Sequence, residues 1–200
     1  RVMSAAFMNH PNFIVVGLAS SSLDRLNHLS QKLNCKKYNS YDSLINENII
    51  DAAYISLPNS KHYEISRKLL NKRIHCLVEK PLACSTRENK EINEIARKNR
   101  LALVETFQFQ HHSQFKFIKN TINYKTFGEL RSIDIRFGIP LFKNKDNIRY
   151  KNDLDGGAFL DLGVYISKTA CLLINTDNIK VLSNINFLSG YDVDMYGFCL

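Results

Sequence analysis

Four short apolar runs constrain this chain more than anything else in it: FIVVGLA (residues 13–19), DAAYISL (51–57), HCLVE (75–79) and LALV (101–104). Each suits a buried β-strand, and helical spacing fills the intervals between them. Leu23, Leu26, Leu29 and Leu33 share one helical face after the first run. Tyr63, Ile65, Leu69 and Leu70 repeat that spacing within residues 60–72. Ser85-Thr-Arg-Glu88 is a capping box, opening a helix that carries Ile92, Ile95 and Ala96. Alternating strand and helix predict βαβ units, and hence a parallel sheet with helices on both faces. Such sheets place ligand sites at the carboxyl ends of their strands. Functional residues are therefore expected just after Ala19, Leu57, Glu79 and Val104.

Beyond about residue 125 the pattern changes. LRSIDIRF (130–137) alternates apolar and polar residues, and 180–188 and 193–200 also read as extended. This predicts a second, α+β domain with an open, mostly antiparallel sheet. Both ends are abrupt: Arg1 to Phe7 resembles the interior of a helix, and Gly197 to Leu200 that of a strand. The expectation is a fragment, incomplete at both termini. Its 44% hydrophobic and 23% charged residues are those of a soluble protein. No apolar run approaches the roughly 18 residues of a membrane span, and no basic-then-apolar leader is visible. Five scattered cysteines form no CxxC pair, so the expectation is a cytoplasmic protein with reduced thiols and no membrane partner. The net charge of +8 is spread among acids rather than gathered into a stripe, which argues against a nucleic-acid partner. Attraction of phosphorylated small molecules and simple solvation of surplus lysines fit that charge equally well.

Two segments stand out chemically. In Leu77-Val-Glu-Lys-Pro81 the proline forces Lys80 into extended backbone at the end of a buried strand. A lysine there is either a surface loop residue or a proton donor facing a ligand. LDGGAFLDLGVYISK (154–168) runs a glycine pair into an apolar helix. At about 100° per residue, Asp161, Tyr165, Lys168 and Thr169 form a narrow polar wedge broken only by Leu172. Phe159, Leu162 and Ile166 line one flank, and Leu160, Val164 and Cys171 the other. The pattern predicts a rod buried on both flanks, its wedge turned to solvent, a partner or a cleft. A phenol titrates near 10, and an adjacent ammonium would lower that value towards useful acid–base chemistry, which makes Lys80 the expected neighbour of Tyr165. His62, after Pro58-Asn59, belongs either to the crevice or to a helix surface, and His111-His112 to a helix start or a binding face. No HExxH or Cys/His ligand spacing is present, so no metal site is expected.

ISLPNSKHYE (55–64), VEKPLA (78–83), ETFQFQHHSQ (105–114) and DGGAFLDLGVY (155–165) resemble, in order and spacing, motifs of the Gfo/Idh/MocA family of NAD(P)-dependent oxidoreductases. The resemblance covers essentially the whole chain. It implies a Rossmann domain over 1–107, lacking its first strand, then a substrate domain over 108–200 whose sheet mediates homo-oligomerisation. It implies hydride transfer at a sugar or polyol carbon, with Lys80 as the family's EKP lysine and Asp161 and Tyr165 as its helix motif. The tyrosine and the run 137–165 most resemble the family's nucleotide-sugar 3-ketoreductases, in which the tyrosine is the proton donor. Lys80 would then lower the phenol's pKa and orient the substrate, while Asp161 would hold a hydroxyl or the lysine. Free-sugar, polyol or dihydrodiol dehydrogenases and non-catalytic NAD(P)-binding regulators are the alternatives on the same scaffold. The implied cofactor set is Ser20, Ser21, Ser22, Arg25, Leu57, Pro58, Asn59, His62, Glu79, Lys80 and Gln108. An acid for the ribose 2′-hydroxyl is missing at Ser20–Ser22, and Arg25 lies close by, so NADP is preferred to NAD; Arg25 facing solvent is the other reading. Three departures stand against the family pattern: the Gly-rich first turn is absent, Gly156-Gly157 replaces three glycines, and Gln110 replaces an arginine.

Overall fold

The computed structural model describes residues 2–200. Of the helix expected at the start, α1 (Val2–Asn9), only Arg1 lies outside them. The parallel part holds two ladders that share no main-chain pairing among the described residues. One joins β1 (Gly17–Ala19) to β2 (Lys36–Tyr38) around α2 (Leu23–Leu33). The other runs β3 (Ala52–Ile55), β4 (His75–Glu79), β5 (Leu103–Thr106), with α4 (Asn59–Asn71) and α5 (Thr86–Asn99) as its crossovers. Its register pairs Ile55 with Val78 and Glu79 with Thr106, which brings the carboxyl ends of the three strands side by side.

This three-stranded unit holds the core. Ile55, Cys76 and Val78 meet Ile65, Leu69 and Leu70 of α4 and Ile92 and Ala96 of α5, all nearly inaccessible to solvent. Each such side chain contributes about 1.5–3 kcal/mol on burial. Because strand side chains alternate between faces, Tyr54 points the other way and meets Phe7 of α1. Helices thus cover both faces, as the alternation predicts. Ser85 caps α5 by accepting from the Glu88 N–H.

Several elements differ from expectation. β2 carries one apolar residue in three, too few to stand out, and α3 (Tyr41–Ile45), capped by Ser40, is too short to show periodicity. β5 lies two residues later than the apolar run, because its carboxyl end is set by pairing with β4. Leu23 is 64% exposed, leaving Leu26 as the buried anchor of α2.

Downstream, α6 (Ser113–Asn123) is capped by His112, whose Nδ1 accepts from the Gln114 N–H. That gives the second of the paired histidines its place at a helix start. β6 (Ser183–Phe187) and β7 (Asp194–Cys199) form the antiparallel sheet. Residues 130–137 form no strand among the described residues, contrary to expectation: their alternation is present, but no neighbour pairs with them, and Leu130, Ile133 and Phe137 stay exposed. Among the described residues, no helix is long and apolar enough to cross a membrane.

Candidate active site at the strand ends

Lys80 follows β4 directly and is joined to Pro81 by a cis peptide. The loop around it is held on two sides. Leu82 N–H donates to Glu105 of β5 at 2.8 Å, and His62 of α4 lies with Nδ1 2.6 Å from the Pro81 carbonyl and Nε2 2.9 Å from the Leu57 carbonyl. His62 is 1% exposed, so it is neither a helix-surface residue nor an open wall of the crevice. Both ring nitrogens lie within hydrogen-bond distance of main-chain oxygens, which ties the loop after β3 to the loop after β4.

Facing Lys80 is the stretch after the glycine pair. Its helix begins as a wide π turn (Phe159–Gly163) and continues as α7 (Val164–Leu173). The turn is fixed at its start by Asp194 of β7, whose Oδ2 accepts from Phe159 N–H at 2.7 Å. Gly156 and Gly157 are needed for this approach. A Cβ on Gly156 would collide with the main-chain carbonyl of Arg149, and one on Gly157, at φ +104°, would strike the Asp194 carboxylate. Gly156→Ala in the full-length protein is expected to cost about 1–3 kcal/mol, the scale of overpacking against an unyielding neighbour; a thermal melt within error of wild type would contradict it.

The wide turn presents both the main chain and the side chain of Asp161 to Lys80. Lys80 Nζ donates to Asp161 O and to Asp161 Oδ1, each at 2.6 Å, with both side chains only 13% exposed. The second carboxylate oxygen accepts from Arg149 Nε at 2.6 Å. Burial pushes the Asp161 carboxyl up, but Lys80 and Arg149 together outweigh it and hold the group below the ordinary carboxylate range. Asp161 is therefore an anion at any working pH.

One turn on, Tyr165 lies in an aromatic nest. Phe107 and Phe137 stand edge-on to its ring at 5.4 Å, and Phe109 packs at 6.1 Å. Lys80 Nζ sits 5.3 Å over the ring centroid. Burial first, then the charges of Glu79 and Asp161, push the phenol above its ordinary value, against a smaller pull from Arg149. This corrects the expectation that Lys80 lowers it: the ammonium is matched by Asp161 and lies over the ring face. A second correction concerns the helix itself. No residue of the π turn or α7 is fully buried, and Phe159 is 42% exposed. Among the described residues, β7 anchors the start of the helix, whose flanks stay partly open.

Of the residues expected at the site, the structure brings Lys80, Asp161 and Tyr165 together, with Glu79 beside them. Glu79 Oε1 accepts from the Tyr54 hydroxyl at 2.5 Å. Asn59 donates through Nδ2 to the Asp155 carbonyl at 2.8 Å, linking the loop after β3 to the glycine pair. Leu57 and Pro58 flank that contact, half-buried, while Gln108 is exposed in a short turn after β5. Ser20, Ser21 and Ser22 close β1, where the Ser22 hydroxyl caps α2 and Arg25 is exposed on its first turn. Arg149, Tyr54 and the three phenylalanines went unnoticed in the sequence. Periodicity gives no sign of a loop arginine or an aromatic nest drawn from three separate segments.

Residues 1–107 match the model of an oxidoreductase family with an NAD-binding Rossmann fold, and residues 115–200 match the GFO/IDH/MocA C-terminal domain. The chain is 33% identical over 177 residues to a dTDP-3,4-didehydro-2,6-dideoxy-alpha-D-glucose 3-reductase from Streptomyces violaceoruber, covering 88% of the chain and 52% of that protein. It is 27% identical over 181 residues to a trans-1,2-dihydrobenzene-1,2-diol dehydrogenase from Xenopus tropicalis, covering 90% and 54%. The crystal structure of a 3-ketoreductase from Actinomadura kijaniata, in complex with NADP and TDP-benzene, superposes with a TM-score of 0.90 at 30% identity, over 98% of this chain and 60% of that one. The chain thus spans about half the length of the curated relatives it matches.

Proposed function

The chain belongs to the Gfo/Idh/MocA oxidoreductase family, and from that premise we propose that it serves in the NADP-dependent reduction of a ketosugar carried on a nucleotide. The observation that carries this reading is the meeting of Lys80, Asp161 and Tyr165 at the strand ends. NADP(H), when bound, supplies the hydride. The donor set after β1 suits the extra phosphate: hydroxyls of Ser20, Ser21 and Ser22 and the exposed Arg25 guanidinium offer hydrogen bonds and charge to a 2′-phosphate. Gln108, Glu79 and the loop Leu57–Asn59 line the other strand ends and are assigned to the same cofactor.

Within the site, Tyr165 holds its proton firmly because its phenol is raised above the ordinary value. Protonated at neutral pH, it can give its proton to the alkoxide that forms when a ketone is reduced. Lys80 supplies positive charge where the alkoxide forms and hydrogen-bonds the substrate oxygen, while Asp161 fixes the ammonium in place. Desolvation by Phe107, Phe109 and Phe137 strengthens these interactions.

A dihydrodiol or free polyol is the second reading, favoured by the same aromatic nest, which suits a ring lacking a nucleotide. A panel of TDP-ketosugars, free ketosugars and aromatic diols, assayed with NADPH or NADP in the full-length protein, separates the two. At least about hundredfold higher kcat/KM for the nucleotide-linked ketone is expected, the scale set by a site built for polar substrate groups. Equal turnover without the nucleotide would overturn the choice of substrate. NADPH binding with no turnover on any ketone would overturn the enzyme reading in favour of a regulator.

A further inference from the structure

Asp161 divides its carboxylate between two cations. Oδ1 receives Lys80 and Oδ2 receives Arg149, each at 2.6 Å. The two partners differ in setting. Lys80 is 13% exposed, whereas the Arg149 side chain is 41% exposed and keeps its charge at low solvation cost. Arg149 is also firmly mounted. Its guanidinium lies 5.1 Å over the Phe142 ring. Its main-chain N–H donates to Asn147 Oδ1, and its carbonyl accepts from Gly157 N–H at 2.8 Å. The same carbonyl is the atom that excludes a side chain at Gly156. The loop bearing the arginine and the glycine pair that launches the helix are therefore one packed unit.

We propose that Arg149 is a positioning residue of the reaction: by holding the outer oxygen of Asp161 it fixes that carboxylate's rotamer and charge, and through it the direction in which Lys80 presents its ammonium. The inference rests on the roles proposed for Lys80 and Tyr165. The physical argument is one of degrees of freedom. A carboxylate gripped on one oxygen can rotate about its Cβ–Cγ bond; gripped on both, it cannot without breaking a charge-assisted hydrogen bond. A guanidinium is charged at every accessible pH, so Asp161 keeps a permanent cation even if the ammonium passes on a proton. Lys80, just after β4, is the other cation on Asp161, while Glu79 of β4 acts on Tyr165 of α7 one turn away; no further cation acts on the carboxylate to replace Arg149.

The test uses the full-length protein as wild type, Arg149→Met and Arg149→Lys. Two measurements are made on each: the NMR titration of Asp161 with 13C-labelled aspartate, and the pH profile of kcat for NADPH-dependent ketone reduction. In Arg149→Met the carboxyl should titrate at higher pH than in wild type, since loss of an opposite charge leaves burial less opposed. The acid limb of kcat should follow it upward, with kcat falling at least about tenfold at its plateau, as expected for a misaligned catalytic group. NADPH affinity should stay unchanged. Arg149→Lys, which restores charge without the planar fork, should recover the titration and only part of kcat. A thermal melt close to wild type confirms that each variant is folded. An unmoved titration, or a moved titration with unchanged kcat and acid limb, overturns the proposal. An inactive wild type marks failure of the functional reading instead, and the wild-type assay alone reveals it.

Discussion

Lys80→Met in the full-length protein is expected to reduce turnover with NADPH and ketosugar at least about a hundredfold, the usual scale of lost acid–base and electrostatic assistance. The substitution keeps most of the stem and removes the charge. Asp161 retains Arg149 on Oδ2 but loses the donor on Oδ1 and on its main-chain oxygen. The carboxylate then keeps Arg149 as its counter-charge, and the position where an alkoxide must form loses the positive charge that favoured the transition state. Lys80→Arg is no rescue: a planar fork cannot place protons on a carbonyl and a carboxylate of the same residue as a compact ammonium does. Stopped-flow decay of NADPH absorbance under single-turnover conditions measures the step directly. Turnover within a few-fold of wild type would remove Lys80 from the mechanism.

Tyr165→Phe is the cleaner experiment. The phenol makes no hydrogen bond among the described residues, while its ring packs against Phe107, Phe109 and Phe137. Phenylalanine keeps that packing and removes only the proton. Stability and NADPH affinity should therefore match wild type, while turnover falls by about 10²–10⁴. The pH profile supplies an independent check, because the acid form does the work and its pKa is raised. Wild-type kcat should hold through neutral and mildly alkaline pH and fall only above about 10, where a phenol ordinarily ionises. That alkaline limb should be missing from the residual activity of the variant. A variant that melts normally yet retains full turnover would assign the proton to another donor.

Much of this was visible in the chain itself, for a definite reason. βαβ alternation is a local pattern, and the strand-end rule turns it into an address for Lys80 without knowledge of any contact. Asp161 and Tyr165 were legible as a polar pair in an apolar helix. What escaped depended on encounters between distant segments. Arg149 reaches Asp161 from a loop of irregular backbone, and no period marks it. The direction of the Tyr165 shift depended first on how far the phenol is buried, and then on Glu79 and Asp161 outweighing Arg149. Residues 130–137 alternate like a strand but find no strand partner among the described residues, and pairing, not pattern, makes a strand. The coverage of the helix was overestimated for a similar reason: apolar flanks state what a helix could bury, while the surrounding elements decide how much they do.

The double grip of Asp161 on Lys80 has a geometric consequence. An ammonium carries three N–H bonds arranged as a tetrahedral tripod. A single residue takes two of its legs, one through a main-chain oxygen and one through a side-chain oxygen. Once two legs are pinned, the bearing of the last is no longer free: it follows from the orientation of Asp161, as a compass needle follows its field. The wide turn at the start of the helix thus acts as an aiming device, converting the pose of one backbone carbonyl into the heading of a proton.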